Sequence, residues 1–199
     1  EEIPTLTPVG ITRWKGEEWI TQRALDTANF TVEKDALTLC GNGLDLCDRK
    51  MQGLLLVRQQ ERAFTAETAL EIPAAGTAGL TCYYDEHSYL KFGIGPEGLL
   101  LEEYAGYEVV SRQTAPLPAS TSHVRLHVTA ADGQRHFAIQ DRTDWHTLWS
   151  IPEPRYLTSE GLQCGKRFTG AMVGLYVHGA SAVRFADWVA VWPHPEEKR

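Results

Sequence analysis

The sequence predicts an all-β protein, an antiparallel two-sheet β-sandwich or jelly roll, on three observations. Short runs with an apolar residue at every second position recur along most of the chain, the period of a strand with one buried face. Gly, Pro and Asp cluster between those runs at the short intervals that join antiparallel neighbours. No segment repeats its apolar residues at the three- and four-residue spacing of an amphipathic helix.

The strands follow in chain order. Residues 19–25, 36–40 and 54–60 read as the first three. Phe64, Ala66, Thr68, Leu70 and Ile72 point one way and Thr65, Glu67, Ala69 and Glu71 the other, which defines a half-buried strand. After a turn at 73–77, Leu80, Cys82 and Tyr84 alternate with Gly79, Thr81 and Tyr83. Leu90, Phe92 and Ile94 then alternate with Tyr89, Lys91 and Gly93, and the short polar link 85–88 makes the pair a hairpin. The turn 95–98 leads into a strand at 99–104. Val124, Leu126 and Val128 face inward with His123, Arg125 and His127 outward, and Phe137 and Ile139 follow the turn at Asp132 and Gly133. Residues 142–163 read as the longest loop. Val173, Leu175 and Val177 mark a further strand, and 183–192 the last.

A chain of 199 residues is long enough for one sandwich with a sizeable core. The expected organisation is an extension over 1–16, one domain over 17–192 and a tail over 193–199. The net charge of −7 with both signs evenly mixed excludes the Lys/Arg stripe of a nucleic-acid binder. No apolar run approaches the length of a membrane-spanning helix, so neither nucleic acid nor membrane is an expected partner. The first residue is Glu rather than Met, as expected of a processed chain or a piece of a longer one. Cys40, Cys47, Cys82 and Cys164 include no C-x-x-C pair and form no zinc pattern. Cys82 reads as a buried thiol. A disulfide could close the loop between Cys40 and Cys47, whereas the expected cytoplasmic location would keep both reduced.

Several residues carry possible chemistry. A glycosidase on a sandwich places its carboxylates at alternate positions of one strand, so that both enter one cleft, and no E-x-D-x-x-E run occurs. Glu102 and Glu103 are adjacent and point to opposite faces; with Asp141 and Asp144 they read as solvated charge. A G-x-S-x-G elbow is also absent. No catalytic residue is therefore assigned. Sugar rings stack on flat aromatic faces, which makes Trp145, Trp149, Tyr83 and Tyr84 candidate glycan contacts, while Trp188 and Trp192 read as residues of the core or of a contact with a partner domain. His123, Arg125 and His127 lie about 7 Å apart in sequence along one strand, too far to share an ion, and read as a solvated face. Arg58, beside Gln59 and Gln60, reads as an architectural residue or an interdomain contact.

Five segments, taken together, resemble one family: Gln52-Gly53-Leu54-Leu55-Leu56-Val57-Arg58-Gln59-Gln60, Phe64-Thr65-Ala66-Glu67-Thr68-Ala69-Leu70, Ala78-Gly79-Leu80-Thr81-Cys82-Tyr83-Tyr84, Phe168-Thr169-Gly170-Ala171-Met172-Val173-Gly174 and Ala186-Asp187-Trp188. In that order they are similar to the C-terminal concanavalin A-like domain of glycoside hydrolase family 43 β-xylosidases. Val57 stands in place of the first of two arginines and Trp188 in place of a Phe. The resemblance implies a non-catalytic sandwich that braces a five-bladed propeller, in the same chain or separate, whose carboxylates act on a xyloside or arabinoside. It implies further that Arg167 and Phe168 belong to a loop lent to the sugar pocket and that a homo-oligomer can form. Sandwiches of this kind often hold a structural calcium, for which Asp187 is the obvious position, but a hydrogen-bonded Asp that fixes a turn or bulge is the favoured reading of that residue; no other cofactor is expected. The runner-up reading is a free-standing carbohydrate-binding module for plant polysaccharide such as xylan.

Overall fold

The computed structural model describes residues 12–21, 27–117, 121–141, 143–161 and 170–193. Among the described residues the regular elements are strands and two short 3-10 turns. β1 (Thr12–Trp14) and β2 (Glu17–Trp19) form a small ribbon. Its turn residues Lys15 and Gly16 have φ of 54° and 80°, as a tight two-residue hairpin requires. β3 (Phe30–Val32), β4 (Ala36–Cys40), β5 (Leu54–Arg58), β6 (Phe64–Glu71) and β7 (Thr77–Asp85) follow. Next come β8 (Ser88–Gly95), β9 (Gly98–Ala105), β10 (Glu108–Ala115), β11 (His123–Ala131) and β12 (Gln134–Asp141). β13 (Asp144–Pro152), β14 (Met172–His178) and β15 (Ala182–Val191) complete the set.

Two antiparallel sheets result, a six-stranded one in the order β10-β9-β8-β7-β14-β5 and a seven-stranded one in the order β13-β12-β11-β6-β15-β4-β3. The main core lies between them. In β6 the predicted parity holds, with Phe64, Ala66, Thr68 and Leu70 buried. Phe92 of the six-stranded sheet meets Phe137 of the other edge-on, with ring centroids 5.3 Å apart. Each such side chain removed from water contributes about 1.5–3 kcal/mol. Trp188 closes the core edge-on to Trp19, centroids 4.7 Å apart. Trp14, which the sequence assigns to the extension, packs beside it. Trp192 lies over Phe64 at 5.5 Å.

The six-stranded sheet differs from expectation. β7 and β8 are buried on both faces rather than one, because the segment between β4 and β5 lies across the outer face. Its Leu46 and Met51 pack there with Leu54, Leu56, Tyr83, Tyr89, Met172 and Tyr176 as a second apolar cluster. Val57 points the other way, into the main core, where it is 1% exposed; an arginine there would bring a charge that needs a partner.

Two further corrections concern strands. Residues 142–163 are not one loop: β13 occupies their first half and pairs with β12, with a register shift at Phe137 and Ala138. β10 has no counterpart among the predicted strands, since a bulge between Val109 and Ser111 resets its alternation and it borders solvent at the sheet edge. Cys40, Cys47 and Cys82 are all free thiols, so Cys40 and Cys47 are not bridged.

Candidate functional site

Antiparallel register lays side chains of the six-stranded sheet in rows across its outer face. One row runs Leu56, Gly174, Thr81, Lys91, Glu102 and Arg112 through five successive strand pairings. The next runs Met172, Tyr83, Tyr89 and Tyr104. Tyr89 stacks on Tyr104 with centroids 4.7 Å apart, and Tyr83 on Tyr89 at 6.1 Å. A third contains Tyr176, Gly79, Gly93, Leu100 and Thr114. Gly93 is required in it, because a Cβ there would run into the Tyr176 hydroxyl and the Ala78 carbonyl.

The first row holds a buried ion network. Lys91, 2% exposed, donates from Nζ to both Asp45 carboxylate oxygens at 3.0 and 2.8 Å. It also pairs with Glu102 Oε1 at 2.7 Å. Glu102 accepts on its other oxygen from Arg112, from Nε at 2.8 Å and from Nη2. Asp45 sits in the covering segment, where its Oδ1 also accepts the Leu46 backbone N–H at 2.7 Å, and its Oδ2 lies 3.5 Å from His178 Nδ1. Burial pushes the His178 imidazole below its ordinary range, against the opposing pull of Asp45. Desolvation likewise raises the Tyr89 and Tyr176 phenols, so both stay protonated.

Beside this network opens a groove of about 670 Å³. Lys91, Glu102 and Arg112 form its floor together with Leu100 and Thr114; the turns at 74–77 and 95–98, with Asp45 and His178, form its walls. A second cleft, about 610 Å³, lies at the end of the sandwich beside Gly133, Glu153, Arg155 and Ala171. It abuts Arg135, which is buried between the sheets. Arg135 is clamped by Glu153 through Nε at 2.9 Å and Nη2 at 2.6 Å, and lies 5.4 Å over the Phe64 ring. Next to it burial pushes the Cys82 thiol up. Tyr156 donates to Glu103 at 2.8 Å from the same region.

The residues predicted from sequence are scattered rather than gathered. Arg167 and Phe168 lie outside the described residues. Tyr83 and Tyr84 are each 2% exposed, so neither presents a ring to a glycan: Tyr84 faces the main core and Tyr83 the covered outer cluster. Trp149 packs against the core 6.1 Å from Phe92. Trp145 is half-buried on β13 beside His127, ring centroids 4.8 Å apart. Arg58 ends β5 opposite Met172 and is exposed, as is Gln60.

Asp187 occupies a bulge in β15 with φ of 52° and lies 3.6 Å from Arg125. No group of three His, Cys, Asp or Glu side chains suited to a metal occurs among the described residues, and the Asp187 carboxylate faces the Arg125 guanidinium. The stripe of His123, Arg125 and His127 is engaged with neighbours: His123 lies 3.7 Å from Glu71, Arg125 3.0 Å from Glu67, and His127 3.2 Å from Thr129.

Glu102 and Glu103 do face opposite ways, yet neither is the solvated charge expected of it. Sequence reasoning missed the network that Glu102 enters because its partner Asp45 lies 46 residues from Lys91. The one available signal was a lysine between Leu90 and Phe92 in an otherwise apolar hairpin.

Two facing antiparallel sheets of six and seven strands, with one outer face partly covered, define a concanavalin A-like β-sandwich. The chain belongs to the family described as the beta xylosidase C-terminal concanavalin A-like domain, whose model matches residues 15–189. Among solved structures it is similar to a mutant of the GH43 protein BlXynB from Bacillus licheniformis, at 22% identity and TM-score 0.74 over 88% of this chain and 37% of that one. The xylan beta-1,4-xylosidase from Bacillus halodurans matches at 20% identity and TM-score 0.74, over 87% of this chain and 36% of that one. The chain thus spans little more than a third of the length of either. A functionally unknown protein from Saccharomyces cerevisiae matches at 17% identity and TM-score 0.59, over 88% of this chain and 96% of that one. No similarity to a curated protein was found.

Proposed function

We propose that this sandwich is a non-catalytic accessory domain of a glycoside hydrolase that acts on xylosides or arabinosides. It braces a five-bladed propeller carrying the catalytic carboxylates, in the same chain or as a separate subunit, and lends the loop with Arg167 and Phe168 to the propeller's xylose pocket. One observation carries the reading: the family model matches residues 15–189, while the similar enzymes extend to nearly three times the matched length. Support also comes from the carboxylates. Inversion needs an acid and a base about 6.5–9.5 Å apart across an open cleft. Glu102 is tied to Lys91 and Arg112, and Glu103 accepts from Tyr156. A reducing, cytoplasmic setting belongs to the same reading and suits the free Cys40 and Cys47 thiols. The isolated chain is expected to leave an aryl β-xyloside uncleaved. Turnover that disappears on substituting a carboxylate of this chain would sink the proposal.

A second reading, a free-standing module for plant polysaccharide, draws on the yeast protein, of which the matched region is almost the whole chain. Affinity electrophoresis on xylan decides it, since a chain that migrates unretarded has no such role.

A further inference from the structure

The groove on the outer face of the six-stranded sheet has features that neither bracing a propeller nor lending residues 167 and 168 would require. Its floor holds two charged side chains that are almost fully buried, Lys91 and Glu102, with side-chain exposures of 2% and 3%. Burying charge is costly unless each ion is paired, and here the pairing is complete: Lys91 and Arg112 balance Asp45 and Glu102. A free anion entering the groove meets Asp45, Glu102 and the rim residue Glu97; a free cation meets Lys91 and Arg112. Neither replaces a partner already within 2.8 Å. The chemistry that gains is a neutral ligand whose hydroxyls both donate and accept.

Such a ligand finds donors and acceptors side by side. Arg112 uses Nε and Nη2 on Glu102 and is three-fifths exposed, so its Nη1 retains two N–H donors. Thr114 adds a hydroxyl on the same face two residues on. His178, held neutral by burial, adds a ring nitrogen. Leu100 of the floor and Pro96 and Ala75 of the turns add apolar surface to the lining, available to the C–H face of a ring. A volume of about 670 Å³ lies within the range of small-molecule sites.

We infer that this groove is a saccharide-binding site for a short neutral oligosaccharide, with Arg112 and Thr114 as its polar contacts and Leu100 as the apolar one. The site is built on the sandwich alone, so it stands or falls independently of any propeller.

The test titrates the purified chain with xylotetraose and cellotetraose, following backbone amide shifts by NMR and binding heat by calorimetry. Saturable shifts are expected at Leu100, Thr114 and the 95–98 turn for at least one of the two sugars, with inorganic phosphate failing to compete. Arg112→Ala removes a charged hydrogen-bond donor and should weaken binding by about tenfold or more. Thr114→Lys, an exposed change that leaves the ion network intact, should abolish it, while Thr147→Ala, exposed on β13 of the other sheet, should leave it unchanged. Absence of saturable shifts with both sugars, displacement by phosphate, or wild-type binding by Thr114→Lys would each overturn the inference. None of these outcomes depends on whether the chain assists xyloside cleavage.

Discussion

Replacing Lys91 with methionine tests what holds the covering segment against the six-stranded sheet. Methionine keeps most of the aliphatic length and removes the ammonium. Glu102, 3% exposed, then retains only Arg112, which is 60% exposed and well solvated, and Asp45 retains the Leu46 backbone N–H and His178 at 3.5 Å. Breaking a buried pair by removing one partner typically costs about 3–5 kcal/mol, because the remaining charge stays desolvated. The lower end applies here: Asp45 is 24% exposed and can regain water, so a loss of about 3 kcal/mol is expected. Urea unfolding followed by tryptophan fluorescence reads it as a fall in midpoint with an unchanged slope. Lys91→Met with Glu102→Gln removes both inner charges and should recover part of the loss, since replacing a whole buried pair is often near neutral. A Lys91→Met variant within 1 kcal/mol of the wild type by that assay, or a double variant less stable than the single one, would refute the reasoning.

Further outcomes follow from other sites. Burial lowers the His178 and His127 imidazoles below their unfolded value, so around and just below about pH 6.5 the unfolded chain binds more protons than the folded one. Stability should therefore fall as pH drops through that window, and His178→Asn should flatten the slope in a pH series of urea midpoints. Gly174→Ala would drive a Cβ into the Leu55 carbonyl and the Leu56 Cα, both backbone atoms that cannot step aside; a cost of about 1–3 kcal/mol is expected, read as a drop in melting temperature. Maleimide should label the exposed Cys47 in the native protein and reach Cys82 only under denaturant, with peptide mapping to locate the adducts.

Alternation made the strands legible wherever one face was wet, as in β6 and β11, where inward Val, Leu and Phe alternate with paired charges. It was misleading in two circumstances. Where a sheet is covered on both sides, as at β7 and β8, parity still separates the faces but no longer says which is solvent, and Tyr83 became an apparent surface ring. Where register slips, as at Phe137 and Ala138 or between Val109 and Ser111, period two breaks and β13 and β10 dissolve into apparent loop. The family resemblance was legible because its five segments fall largely on strands β5, β6, β7, β14 and β15. The groove was not, since its ion network joins Asp45, Lys91, Glu102 and Arg112 from four separate stretches of chain. Apart from Lys91 in its apolar hairpin, each of those residues alone looks like ordinary solvated charge.

The double covering of β7 and β8 has a kinetic counterpart. Both strands are interior to their sheet, hydrogen-bonded on two sides and shielded on two faces, so their amides can meet deuterium only when the domain opens globally. The border strands of the same sheet, β10 and β5, can fray by themselves. Hydrogen exchange should therefore divide the sheet into a slow spine from residue 78 to 94 and fast margins. A ligand seated in the groove, which spans β8, β9 and β10, would show itself first as slowed exchange at the margin, where local opening is the faster route.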